Sequence, residues 1–278
     1  MNFLTTLGGV VAAAAGSGFA LYGGQLFLRQ RSILFRPSRE MTADPASFGQ
    51  AFENVFLKLQ SGTSVHGWFI PRDQSEKLIL FFPGSVGNLA YELSTLAFLL
   101  SFNASVLAID YPGFGRSQGV PNERGCYAAA DAAWHHAIYQ KGISPENILL
   151  FGRCVGATVA AWLAARYKCA GLVCHSAFTS VPDWAATAYP VLPARYFCYI
   201  RFNTLKLIMN CHCPLLLMHS ERDTRVPASH AATLYEKAHR PKMFLPLAGD
   251  HYGNDWQASP NLRTVFAAML DGGGRSWN

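Results

Sequence analysis

The chain has 278 residues, half of them hydrophobic and only 14% charged, enough to bury one sizeable core, and no interior linker separates two domains. Its formal net charge of +6 does not indicate nucleic acid, because four arginines and one glutamate between residues 29 and 40 supply half of it and the rest is scattered without a basic stripe. Seven cysteines, an odd number in a chain this long, do not form a secreted disulfide framework and agree with a reducing compartment.

Met1 to Leu28 carries no charged residue and exceeds the roughly 20 apolar residues that span a bilayer. Residues 1–28 are read as an N-terminal transmembrane anchor rather than a cleaved signal peptide, whose positive leading region is missing. Arg29, Arg31, Arg36 and Arg39 follow in a basic juxtamembrane linker, residues 29–52, suited to anionic headgroups. By the positive-inside rule this predicts a single-pass membrane protein whose catalytic part, residues 53–278, faces the cytoplasm.

Val55–Leu59 and Ser64–Ile70 read as an opening antiparallel pair. Leu78–Phe82, Ala104–Asp110, Ile148–Phe151, Ala170–Cys174, Pro214–His219 and Met243–Leu247 then read as successive buried strands, and Asn122–Lys141 and Ser229–His239 as the clearest helices. Such alternation predicts an α/β fold with a mostly parallel eight-stranded sheet covered on both faces, and chemistry at the carboxyl ends of its strands.

Gly152-Arg153-Cys154-Val155-Gly156 joins the third of these six strands, Ile148–Phe151, directly to an alanine-rich helical run. Two glycines leave room for a strained turn that lifts the central side chain, so Cys154 is the expected nucleophile, activated by the helix N-terminus. Gly115-Arg116-Ser117-Gln118-Gly119 matches the same spacing with a serine, but a glycine- and proline-rich loop precedes it and Val120-Pro121 follows where a helix should begin. Ser117 is therefore a loop residue.

A thiol nucleophile needs a histidine base and an acid to orient it, in the chain order nucleophile, acid, histidine. Asp223 follows the strand ending at His219, and His251 lies on the loop after the last strand. Glu221, Asp250 and Asp255 are alternative acids. Between Cys174 and Pro214 lies an aromatic stretch, a cap over about residues 177–212. Trp184 and Tyr189 are its candidates for an apolar roof over Cys154, with plain core packing as the alternative. His175, just past a strand end, is a candidate substrate contact, with a surface histidine as the alternative.

These segments resemble the α/β-hydrolase superfamily, in particular its serine-aminopeptidase-like branch with an N-terminal membrane segment. The resemblance covers about residues 53–270 and rests on the elbow, Pro83-Gly84-Ser85-Val86-Gly87-Asn88, Asp110-Tyr111-Pro112-Gly113-Phe114-Gly115-Arg116-Ser117, and the Asp223 and His251 segments. It implies that the backbone amides of Ser85 and Val155 form the oxyanion hole, although the histidine and first asparagine usual in the Ser85 loop are replaced here. Dienelactone hydrolases resemble this chain in using cysteine, histidine and aspartate on the same fold.

The expected function is a membrane-anchored hydrolase of carboxylic esters or thioesters, acting on a small-molecule acyl substrate, lipid-like ones included, through a covalent acyl-enzyme. An acyltransferase using the same cysteine and a catalytically inactive binding protein are the alternatives. Cys211-His212-Cys213 lacks a second cluster to complete a metal site. With no nucleotide or flavin motif either, no metal or other cofactor is expected.

Overall fold

The computed structural model describes residues 21–190, 193–253, 255–259 and 261–277. Its strands are β1 (Arg36–Pro37), β2 (Glu53–Lys58), β3 (Ser64–Ile70), β4 (Leu78–Phe82), β5 (Val86–Gly87), β6 (Ser105–Ile109), β7 (Ile148–Arg153), β8 (Gly171–His175), β9 (Leu215–Ser220) and β10 (Lys242–Leu247). Its helices are α1 (described over residues 21–34), α2 (Leu93–Leu100), α3 (Glu123–Tyr139), α4 (Val155–Ala164), α5 (Val181–Ala188), α6 (Ala194–Phe197), α7 (Thr204–Ile208), α8 (Ala228–Lys237) and α9 (Leu262–Leu270).

Eight strands form one sheet in the order β10-β9-β8-β7-β4-β6-β3-β2. Only β2–β3 and β3–β6 are antiparallel; every other neighbouring pair is parallel. Parallel strands need helical crossovers, so their faces are both covered, and the central strands are apolar at successive positions rather than at alternate ones. In β4, Leu78, Leu80 and Phe82 pack with α3 and α4, whereas Ile79 and Phe81 pack with α2 and α9. All five are fully buried, and burying each side chain of this size contributes about 1.5–3 kcal/mol.

The eight strands begin and end within two residues of their expected positions. One pairing was not foreseen. β1 runs parallel to β5, with Arg36 opposite Val86, and the Arg36 N–H donates to the Ser85 carbonyl at 2.8 Å. The segment expected as a juxtamembrane linker is thereby fastened to the loop after β4.

The expected membrane anchor, and with it the single-pass placement facing the cytoplasm, is corrected. Residues 1–20 of that segment lie outside the described residues, and among the described residues no helix is long and apolar enough to cross a membrane. α1 continues through Arg29 and Arg31 to residue 34. It lays Gly23, Leu26, Phe27, Gln30, Ile33 and Leu34 against the cap, the i, i+3, i+4, i+7 spacing of one helical face. Over residues 21–28, the described part of that uncharged segment, the chain is a one-sided helix that uses its apolar face on the protein itself.

Candidate active site

β7 passes into α4 through one residue. Cys154 has φ 54° and ψ −115°, a backbone conformation that costs a non-glycine residue on the order of 1–3 kcal/mol. The flanking glycines make it feasible. A Cβ on Gly152 would stand 2.0 Å from the Gly156 carbonyl oxygen, and one on Gly156 would stand 2.0 Å from the Phe82 carbonyl oxygen. The first turn of α4 can therefore press against β7 and the end of β4. The Cys154 N–H donates to the His175 carbonyl at 2.8 Å, and its partly exposed thiol stands at the N-terminus of α4, where helix dipole and amide donors favour negative charge.

Asp223 hangs from the loop after β9. Its Oδ1 accepts the Arg225 and Val226 amides at 2.9 and 2.8 Å, which fixes the carboxylate and leaves Oδ2 for His251 Nδ1 at 2.7 Å. Burial pushes the Asp223 carboxyl up, but the hydrogen bond and charge of His251, with the Val226 amide, hold it below its ordinary value. His219 closes the same turn, its Nε2 lying 2.8 Å from the Val226 carbonyl oxygen.

His251 follows β10 after a turn at Gly249, where φ is 94°, and the Ser220 hydroxyl donates to the Gly249 carbonyl. Burial pulls the imidazole down. The negative charge of Cys154 as thiolate, then the hydrogen bonds to Asp223 and Cys154, outweigh burial and raise it to about 9. Cys154, His251, Ser85 and Val86 line one cavity.

The loop after β4 crosses above the thiol. A Cβ on Gly84 would lie 3.8 Å from that of Cys154, and the Tyr111 hydroxyl donates to the Pro83 carbonyl at 2.9 Å. Val155 is the first residue of α4, so its amide is one of the N–H groups that have no partner within the helix.

A family model described as the alpha/beta hydrolase fold matches residues 77–196. An uncharacterized protein of Mycobacterium tuberculosis (strain ATCC 25618 / H37Rv) is 30% identical over 241 residues, covering 86% of this chain and 85% of that protein. The chain belongs to the α/β-hydrolase fold family. Alpha/beta hydrolase domain-containing protein 17C of Mus musculus is 34% identical over 167 residues, 60% of this chain and 51% of that protein. Among solved structures, the Pyrococcus furiosus esterase Pf2001 superimposes with a TM-score of 0.71, covering 85% of this chain and 98% of that one at 18% identity. An α/β hydrolase from Vibrio vulnificus gives 0.68 over 80% and 82% at 20% identity. At such identities these two likenesses speak for the fold.

On this hydrolase fold the remaining candidates separate. Trp184 lines the cavity that holds Cys154, whereas Tyr189 lines a neighbouring one beneath α1. His175 is 2% exposed, its ring lies 4.9 Å from that of Trp256, and it does not line the Cys154 cavity. Burial, then the nearby Arg153 charge, keeps it well below the ordinary histidine value, so it is a neutral core residue rather than a substrate contact. Ser117 is fully buried, accepting the His66 amide and donating to the Asp110 carbonyl. Glu221 is exposed and Asp250 accepts the Tyr252 and Gly253 amides, while the side chain of Asp255 lies outside the described residues. Among the described residues no group of three His, Cys, Asp or Glu is placed to hold a metal ion.

Sequence reasoning missed Arg153 and Glu92. The Arg153 guanidinium meets the Glu92 carboxylate at 3.2 Å and the His251 carbonyl at 3.0 Å, and Glu92 also accepts the Thr95 hydroxyl. A charged residue inside the otherwise apolar end of β7 was the available signal.

Proposed function

We propose that this protein hydrolyses carboxylic esters or thioesters through Cys154, His251 and Asp223. The observation that carries this reading is the 2.7 Å contact of His251 with Asp223 beside a thiol held at positive φ in the same cavity.

In the proposed reaction the Cys154 proton resides on His251 Nε2, and Asp223 fixes the opposite nitrogen as donor. The sulfur attacks the acyl carbonyl carbon, an S–C bond forms, and the carbonyl oxygen takes the negative charge toward the Val155 and Ser85 amides. One such preorganised donor typically lowers a barrier by about 3–4 kcal/mol. The tetrahedral adduct collapses, the bond to the alkoxide or thiolate leaving group breaks, and His251 gives that group its proton. Water then attacks the enzyme thioester, passes a proton to His251, and the carboxylic acid leaves as the sulfur departs.

The test is the intact mass of purified protein after brief exposure to a short-chain p-nitrophenyl ester, beside the Cys154→Ala variant. One acyl adduct on the wild type and none on the variant is expected. A folded wild type that gains no adduct and turns over no ester would overturn the reading and favour a binding protein. Faster adduct turnover with an alcohol or amine acceptor than with water would make the enzyme a transferase.

A further inference from the structure

Between α1 and the cap helices α5 and α6 lies a second cavity, lined almost wholly by apolar side chains. Six residues of α1 form one wall, and Trp184, Ala185, Tyr189 and Phe197 stand across from them. Ile33, Leu34 and Trp184 line both this cavity and the one holding Cys154, so the two share a boundary of apolar side chains.

The side-chain polar atoms of Gln30, Trp184 and Cys198 at the cavity are already engaged with protein. Gln30 Nε2 donates to the Phe197 carbonyl at 2.6 Å and its Oε1 accepts the Tyr199 and Ile200 amides. Trp184 Nε1 donates to the Arg225 carbonyl at 2.7 Å, and the Cys198 thiol lies 3.3 Å from the Ala194 carbonyl oxygen. Water needs two to four polar partners to occupy such a space, and an apolar void left empty forfeits packing energy. A cavity of this chemistry beside a nucleophile matches an apolar ligand group attached to an acyl carbon.

We infer that this cavity takes the aliphatic chain of the acyl group, with α1 as its outer wall and Trp184 at the passage from Cys154. The inference rests on the reading of Cys154 as nucleophile. Gln30 is then a clasp. Its three hydrogen bonds, with the edge-to-face contact of Phe27 and Tyr199 at 5.2 Å, hold the wall shut against the cap.

The test compares kcat/KM for p-nitrophenyl acetate, butyrate, octanoate and decanoate in the wild type, Gly23→Leu and Ala185→Leu. Among the described residues outside the backbone of its own helix, a Cβ on Gly23 would meet the Phe197 ring, at 3.9 Å, so leucine there can fold and fill the space. The wild type is expected to prefer octanoate over acetate at least tenfold, and each substitution is expected to cut that ratio at least tenfold. A flat chain-length profile, or a ratio untouched by both substitutions, overturns the inference while leaving Cys154 as nucleophile if acetyl adducts form. If no ester acylates Cys154, titration calorimetry with octanoic acid decides the cavity separately. Binding that Gly23→Leu abolishes sustains an apolar-chain site; no binding, or equal binding by both proteins, removes it.

Discussion

Arg153 donates to the main-chain carbonyl of His251 at 3.0 Å while its other terminal nitrogen meets Glu92 at 3.2 Å. The residue just before Cys154 thus grips the loop that carries His251, and the anchor for that grip comes from the turn preceding α2. Elbow and histidine loop are separated by 98 residues in sequence and joined by one buried guanidinium.

Removing that guanidinium exposes two separate roles. In Arg153→Met, Glu92 stays buried without its cation, which typically costs about 3–5 kcal/mol, and the His251 carbonyl loses its donor. Urea denaturation is expected to show the stability loss, with ester kcat at least tenfold lower. Adding Glu92→Gln is expected to restore much of the stability, because the uncompensated charge is gone, without restoring kcat. Recovery of both together would make Arg153 a structural ion-pair partner and not a positioning residue for His251.

The strands were legible because runs such as Leu78–Phe82 are apolar at every position, the mark of a sheet covered on both faces. Asp223 and His251, candidates from their places after β9 and β10, lie 2.7 Å apart in the folded chain. His175 could not be placed, because the twofold alternation of β8 decides its direction: Val173 packs with the α2 and α9 side and Cys174 with the α3 and α4 side. His175 follows on the Val173 side, against Trp256. Arg153 has partners 61 and 98 residues away, so no local spacing announces them. α1 was misread because low charge and high hydropathy are common to a membrane span and to a helix that roofs an apolar cavity; the side contacts of Gln30 distinguish them, and they arise only in the folded chain.

Two glycines of like composition should respond oppositely to alanine. At Gly156 the added methyl would stand 2.0 and 2.5 Å from the Phe82 and Pro83 carbonyl oxygens, backbone atoms that also carry the loop over Cys154. Gly156→Ala is expected to cost about 3 kcal/mol and to abolish acylation of Cys154. At Gly24, within α1, no atom of the described residues outside the backbone of its own helix lies within 4 Å of the added methyl, and alanine is expected to stabilise by about 0.5–1 kcal/mol. Thermal denaturation of both variants checks the pair; an unharmed Gly156→Ala would show that α4 need not press on β4.

His251 and Asp223 give stability a window in pH. The folded-state value of His251, about 9 against an ordinary 6.5, means that its contribution is fully present below about pH 6.5 and is lost as pH rises through about 9. A difference of that size corresponds to stability on the order of 3 kcal/mol. Asp223 lies below its ordinary 3.8, so its contribution is present above that pH and is lost as pH falls through the lower folded-state value. Urea midpoints of wild type and His251→Gln measured from pH 6 to 10 are expected to differ most at pH 6 and to converge toward pH 10. The thiolate charge is the leading influence that raises His251 against its burial, so Cys154→Ala should move the convergence to lower pH. A gap between wild type and His251→Gln that stays constant to pH 10 would separate the imidazole charge from stability, and an unmoved convergence in Cys154→Ala would separate His251 from the thiolate.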